Sequence, residues 1–413
     1  MSERIVIKEI CEVYDGPHAT PKKTVDGPVY LGIDAITDDG KINAKEFAHL
    51  SEEDYIKWTK RVTPQYGDIV FSYEATLGRY ALIPKDFYGC LGRRLAIIRN
   101  VSKDIDTLWL YYYFLSPEWK QFIQSKIIKG STVNRISVED FPTYTVPNIS
   151  IKVQRKIANI LSKIDEKIAL NNNINDNLQQ QAILLYDYWF TQFDFPDANG
   201  KPYYSSGNKM TWNNQLKKNI PLSWKVKPLK AICEICLGGT PSTTVSKYWN
   251  GSISWLNSGE IAQFPVVSSE KKITQLGLEN SPSKLMSKNT TVISITGNIR
   301  ASILALDACA NQSVVGILEN EIFKSPFIYQ NMLRLLKHYT SISTGNCQKH
   351  ISKGAIEESL VCIPDNIVLK QYYSLSEPIY KQMHEIALEN QHLTELRDWL
   401  LPMLMNGQVT IKD

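Results

Sequence analysis

The stretch KIALNNNINDNL at 167–178 returns as EIALENQHLTEL at 385–396, with Ile-Ala-Leu, an Asn two residues on and a later Leu at the same offsets. The likeness runs outward. GSTVNRIS (130–137), VP (146–147) and Gln154 precede the first copy; GNCQKHIS (345–352), IP (363–364) and Gln371 precede the second. Further back, IKEICEVYDGPHATP (7–21) matches LKAICEICLGGTPST (229–243), and GPVYLGIDAI (27–36) matches GSISWLNSGEI (251–261). TPQYGDIVFSYEATLGRYALI (63–83) faces MSKNTTVISITGNIRASILAL (286–306), and LGRRLAIIRN (91–100) faces NQSVVGILEN (311–320). Blocks kept in one order along the chain mark a duplicated unit of roughly 200 residues. The fold must therefore be one that a single unit builds and that two copies repeat.

Each unit reads in two parts. The first carries short β-type runs, VYLGI, DIVFSY, RYALIP and LAIIR in one copy and SISWL, TTVISIT and SVVGIL in the other, followed by one helix at about 106–127 and 325–338. The second part is a long helix. Ile157, Leu161, Ile164, Ile168, Leu178, Ala182, Leu185 and Trp189 step by four and three, with Asn171 and Asn175 filling two steps. Ile379, Met383, Ile386, Asn390, Leu393, Leu400 and Leu404 do the same in the second copy. A 3.5-residue repeat predicts a helix-packing seam, and asparagines inside it fix register at a cost in stability. The expected fold class is α+β: two strand-rich globular domains separated by two long antiparallel coiled-coil helices, with a pseudo-two-fold internal repeat. The expected boundaries are 1–150, helix 151–192, a Pro-, Gly-, Ser- and Asn-rich loop at 193–224, a second globular domain at 225–365, and helix 366–413.

Composition and motifs narrow the function by exclusion. No apolar run approaches the ~18–20 residues that span a bilayer. The opening MSERIVIKEI lacks a signal-peptide core, so a cytoplasmic protein is expected, without membrane partners. Seven scattered cysteines fit a reducing compartment. CEIC at 233–236 has metal-like spacing but no second Cys/His pair nearby, so two core cysteines is the ordinary reading and no metal site is assigned. Phosphate-binding and dinucleotide glycine loops, zinc-hydrolase and serine-hydrolase motifs and an amino-methyltransferase signature are all missing. No catalytic residue is assigned.

One positive feature recurs in both copies. Residues 206–365 carry 17 basic against 10 acidic side chains. No acid occurs between Glu118 and Glu139, nor between Glu321 and Glu357, and each stretch ends in a donor-rich loop. Lys129, Ser131, Thr132, Asn134 and Arg135 stand in the first loop; Asn346, Gln348, Lys349 and His350 stand in the second. Such side chains suit phosphates and base edges, the alternative being a solvated basic face. A second candidate surface pairs EATLGRYA (74–81) with ITGNIRAS (295–302), placing Arg79 opposite Asn298 and Arg300. Arg93 and Arg94 in one copy and Gln312 in the other follow. Glycine beside these residues allows close approach to a groove and equally suits a plain hairpin turn. Lys247, beside Trp249, completes the candidate set; that Trp reads as core or as a base-stacking ring.

Two related but divergent globular parts can read two unlike half-sites on duplex DNA. YDYWFTQFDFPDANGKPYYSSGNKM, IPLSW, LGGTPSTTVSKYWNGSISWLNSGEI, QRKIANILSKIDEKI and the closing LRDWLLPMLMNGQVT resemble the specificity subunit of type I restriction-modification systems, over essentially the whole length. The resemblance implies that 1–150 and 225–365 are target recognition domains and that the helices are spacers on which methyltransferase subunits dock, two of them, with motor-nuclease subunits added for restriction. It implies double-stranded DNA as partner and no cofactor on this chain: S-adenosylmethionine, ATP and Mg belong to the partner subunits. The DNA-reading residues vary within that family, so the site residues rest on the charge and loop arguments. Two other readings remain at this point. A fused nuclease or methyltransferase needs a catalytic segment, and no segment is left to host one. A coiled-coil scaffold for protein partners has no need of acid-free loops.

Overall fold

A computed structural model describes residues 3–130, 133–344 and 349–409. The chain divides into two compact units, residues 1–167 with 393–413, and residues 168–392.

In the first unit, β1 (Cys11–Asp15), β2 (Thr24–Leu31), β3 (Ala48–His49), β4 (Ile69–Ser72), β5 (Tyr80–Leu82), β6 (Gly89–Leu91) and β7 (Leu95–Asn100) form two sheets. One has the order β1-β7-β4-β5, all antiparallel; the other has the order β3-β2-β6, with β2 and β6 parallel. The expected single helix at 106–127 is two, α1 (Thr107–Leu115) and α2 (Pro117–Ser125). The reason is local: Ser116 is extended and accepts from Trp119 N at 3.3 Å, and Pro117 cannot continue a helix but starts one well. The break lets Trp109, Tyr113, Phe114 and Trp119 all face the sheet, where they pack with Phe71, Tyr80 and Phe141.

The helix α3 (Ile151–Tyr186) begins in this unit. Its Ile157 and Leu161 join the same core, together with Leu401, Leu404 and Met405 from the last helix. Arg397 Nη1 reaches Asp165 at 2.9 Å, and Asp165 also accepts from Tyr112 Oη at 2.7 Å.

The second unit repeats the strand plan. β8 (Ile235–Leu237), β9 (Trp249–Leu256), β10 (Lys271–Ile273), β11 (Thr291–Ser294), β12 (Ala301–Ile303), β13 (Ala308–Ala310) and β14 (Val314–Ile317) form sheets of order β8-β14-β11-β12 and β10-β9-β13. β9 and β13 are parallel, as β2 and β6 are. The register shifts at the same place too, between Thr24 and Val29 in β2 and between Trp249 and Ile253 in β9. The duplicated sequence is thus a duplicated topology.

Here the sheet is covered by α4 (Ser325–Ile342) and by the N-terminal half of α5 (Asn366–Met405). Rising numbers on α3 meet falling numbers on α5: Asn171 bonds Asn390, while Leu178 and Ala182 cluster with Tyr380, Met383 and Ile386. The pair is antiparallel. Of the expected seam, Leu161, Ile164, Ile168, Leu178, Met383 and Ile386 are buried, and Ile379 and Leu393 are half-buried.

The stretch 193–224 departs from the expected loop. It contains a hairpin, Met210–Asn213 with Lys218–Pro221, and Phe193, Phe195, Ile220 and Trp224 are buried in the second unit's core. Phe195 stacks between Tyr203 and Trp224, at 4.7 and 5.0 Å. Its turn residues shape the path, but its aromatic rings hold it down. CEIC is core as well: Cys233 and Cys236 are buried, and burial pushes the Cys233 thiol up to about 12.

Candidate nucleic-acid interface

Folding brings the two candidate surfaces of each copy together at one end of the four-stranded sheet. In the first unit, β4 ends at Ser72, whose Oγ accepts from Arg79 N at 3.1 Å and closes the hairpin 73–79. Tyr73 then receives two neighbours. Its N–H donates to Arg94 O at 3.1 Å, and its carbonyl accepts from Ile136 N at 2.8 Å. Arg135 pairs by its backbone with Glu74 on one side and Ile128 on the other. Hairpin, turn 92–94 and loop 128–136 thereby form one surface.

The second unit uses the same bonds. Ser294 Oγ accepts from Arg300 N at 2.9 Å. Ile295 N donates to Ser313 O at 2.8 Å, and Ile295 O accepts from Ile351 N at 3.0 Å. His350 takes the place of Arg135, between Thr296 and Thr344, with its Nδ1 3.2 Å from Thr296 Oγ1. The polypeptide must turn sharply in both hairpins, and Gly78 (φ 72°) and Gly297 (φ 75°) supply the left-handed conformation.

The individual candidates fare differently. Arg135, Asn134, Lys129, Arg93, Asn298, Arg300, Lys349 and His350 are exposed on these loops. Gln312 is exposed and accepts from Thr240 Oγ1 at 2.6 Å. Arg79 is committed: its guanidinium bonds Asp38 at 2.6 and 3.2 Å and the Ile36 carbonyl at 3.0 Å. Arg94 is half-buried, with Nε 3.5 Å from Glu74 Oε2. Lys247 is exposed in a short helical turn, Ser246–Tyr248, held by Thr274, and among the described residues no hydrogen bond ties it to the three loops. Ser131, Thr132, Asn346 and Gln348 lie outside the described residues. Trp249 is half-buried, edge-on to Trp255 at 5.1 Å.

Clearing a sequence of acid does not clear the space around it. Within the acid-free stretches, Arg334 pairs with Asp187 at 2.6 Å and covers the Tyr186 ring, and Lys353 pairs with Glu357 at 2.8 Å. Lys324 is held by Glu377. These cations are structural. Glu74, inside the hairpin EATLGRYA and paired with Arg135, and Asp15, at the end of β1 beside the Tyr73 side chain, were missed. The signal for Glu74 was its place in that block; Asp15 had none, because only the sheet brings it there.

Residues 2–180 and 221–372 match the type I restriction modification DNA specificity domain family. This chain belongs to that family. The specificity subunit is similar to that of the type I restriction enzyme MjaIX of Methanocaldococcus jannaschii, 24% identical over 372 residues, which are 88% of this chain and 82% of the relative. It is also similar to the HindI specificity subunit of Haemophilus influenzae, 19% identical over 400 residues, covering 83% and 86%. The crystal structure of the type I S subunit from M. genitalium shares the fold, with a TM-score of 0.56 at 15% identity over 97% of this chain and 95% of that one. Among the described residues no group of three or more His, Cys, Asp or Glu side chains could hold a metal ion, and no helix is long and apolar enough to cross a membrane.

Proposed function

We propose that this specificity subunit reads a bipartite, asymmetric site on double-stranded DNA, one part with each unit's loop surface, and directs adenine methylation and restriction by partner subunits. The single observation that carries this reading is the pair of matched surfaces. Both units present three loops on the same strand ends, joined by the same backbone bonds, yet the side chains differ: Glu74, Arg94 and Arg135 against Thr296, Ser313 and His350. A common frame with unlike side chains is what two unlike half-sites require. The chemistry belongs to the partners: S-adenosylmethionine on two methyltransferase subunits, ATP and Mg on motor-nuclease subunits. Unpaired cysteines suit cytoplasmic work on DNA.

Replacing residues 1–150 by the matching domain of a relative tests it. One half of the methylated site should change and the other should stay. If both halves change together, the units do not read separately.

A further inference from the structure

At the end of each four-stranded sheet a short row of side chains differs in charge between the two copies. In the first unit Tyr73 lies across from Arg94, with Glu74 next and Asp15 on the neighbouring strand against Ala96; in the second, the equivalent positions hold Ile295, Ser313 and Thr296, with Leu237 against Val315. The first unit's row is built at a cost. Arg94 adopts a left-handed backbone (φ 73°), unusual for a long side chain, whereas Ser313 makes the same bond without a positive φ. Its side chain is only 30% exposed and its Nε, against Glu74, has no hydrogen bond among the described residues. Asp15 Oδ1 and the Tyr73 hydroxyl are likewise buried without a hydrogen bond of good geometry, although burial and the nearby Asp15 carboxylate hold that hydroxyl protonated well above the usual tyrosine range. Asp15 Oδ2 is taken by His18 Nε2 at 2.8 Å. Buried polar groups left short of partners are costly, and a strained, half-buried arginine among them is placed for a partner from outside.

A phosphate contact needs only an exposed cation, such as the neighbouring Arg93. Arg94 is held instead by its backbone and by Glu74, leaving a planar pair of terminal nitrogens. That geometry matches the O6 and N7 acceptors of guanine in the major groove.

Resting on the proposed DNA-reading function, we propose that Arg94 reads a guanine in the half-site of the first unit, with Glu74 as its positioning residue. Thr296 and Ser313 offer no such charge pair, so the half-site of the second unit is read there by other means.

The test is selection from a randomised DNA pool by the assembled methyltransferase complex, carrying wild-type chain, Arg94→Gln or Glu74→Gln. Wild type should select guanine at a fixed position of one half-site. Arg94→Gln should shift that position toward adenine, which pairs with a Gln amide, lowering the preference for guanine about tenfold or more. Glu74→Gln should relax the same position and no other. Selection unchanged in Arg94→Gln overturns the proposal, and so does a loss of affinity spread evenly over all sequences, which is the mark of a phosphate contact. If the wild-type complex selects no sequence at all, the DNA-reading function itself fails, a result distinct from either. Assembly of each variant with its partners, checked by gel filtration, separates these outcomes from misfolding.

Discussion

Asn172 and Asn390, 218 residues apart and equivalent in the repeat, are bonded to each other across the helix pair, Asn390 Nδ2 donating to Asn172 Oδ1 at 2.8 Å. The preceding positions meet as well: Asn171 Nδ2 donates to Glu389 Oε2 at 2.7 Å and to Asn390 Oδ1 at 2.8 Å. The element that betrayed the duplication is therefore where the two copies touch. Asn171 is almost fully buried. Asn171→Leu strands polar partners and should destabilise by about 1–3 kcal/mol. Asn171→Leu combined with Asn390→Leu should recover much of that loss while loosening the register of the helix pair. Denaturant midpoints of the two single variants and the double variant give the coupling, and strictly additive losses would mean that the asparagines do not act together.

Arg397 anchors the other end of the last helix. Its side chain is 12% exposed, and Asp165, which it pairs with at 2.9 Å, is 22% exposed. Arg397→Ala leaves Asp165 with Tyr112 as its one side-chain hydrogen-bond donor among the described residues and should cost about 3 kcal/mol. The loss should appear first as faster amide exchange in 151–167 and 393–405. Exchange raised evenly over the chain would contradict this.

How much of this was legible follows from what each signal measures. Strand runs such as DIVFSY and TTVISIT, and the heptad steps through Leu161 and Met383, are local patterns and correspond to strands and helices in the structure. The parallel partners Gly89–Leu91 and Ala308–Ala310 were not, since three residues are too few to show a period. The break at Ser116–Pro117 was written in the sequence and outweighed by its aromatic neighbours. For the surface, the acid-free stretches led to Arg135 and His350, but charge along a chain says nothing of what folds against it. Only the sheet brings Glu74 to Arg94, and only the fold engages Arg79 with Asp38.

His384, on the last helix within the second unit, should make stability depend on pH. Burial, then the charge of Lys288, lowers its pKa to about 4 from the usual 6.5, and its Nε2 has no hydrogen bond among the described residues. Between those values the unfolded chain binds a proton that the folded chain refuses. Stability should thus fall as pH drops from about 6.5 to 4, by up to about 3 kcal/mol from this group. His384→Gln should flatten that part of the profile of unfolding midpoint against pH. An unchanged slope would show that the drop comes from other groups.

Arg135 and Lys349 are exposed, so replacing either by Ala should leave stability within about 0.5 kcal/mol. In the assembled complex each should weaken DNA binding. If the contact is to a phosphate, affinity falls for all sequences and the log-log salt slope flattens by about one. Titrations at several salt concentrations read this directly. Wild-type affinity and slope in both variants would make these loops solvated surface.

The central claim, that this chain chooses a two-part DNA site for its partners to methylate, is tested most directly by mapping methyladenine across the genome in cells with and without the gene. The expected result is one asymmetric motif, two specific parts around a gap of fixed length, methylated when the gene is present and bare when it is deleted. An unchanged methylation map, or loss of a single uninterrupted motif, would contradict it.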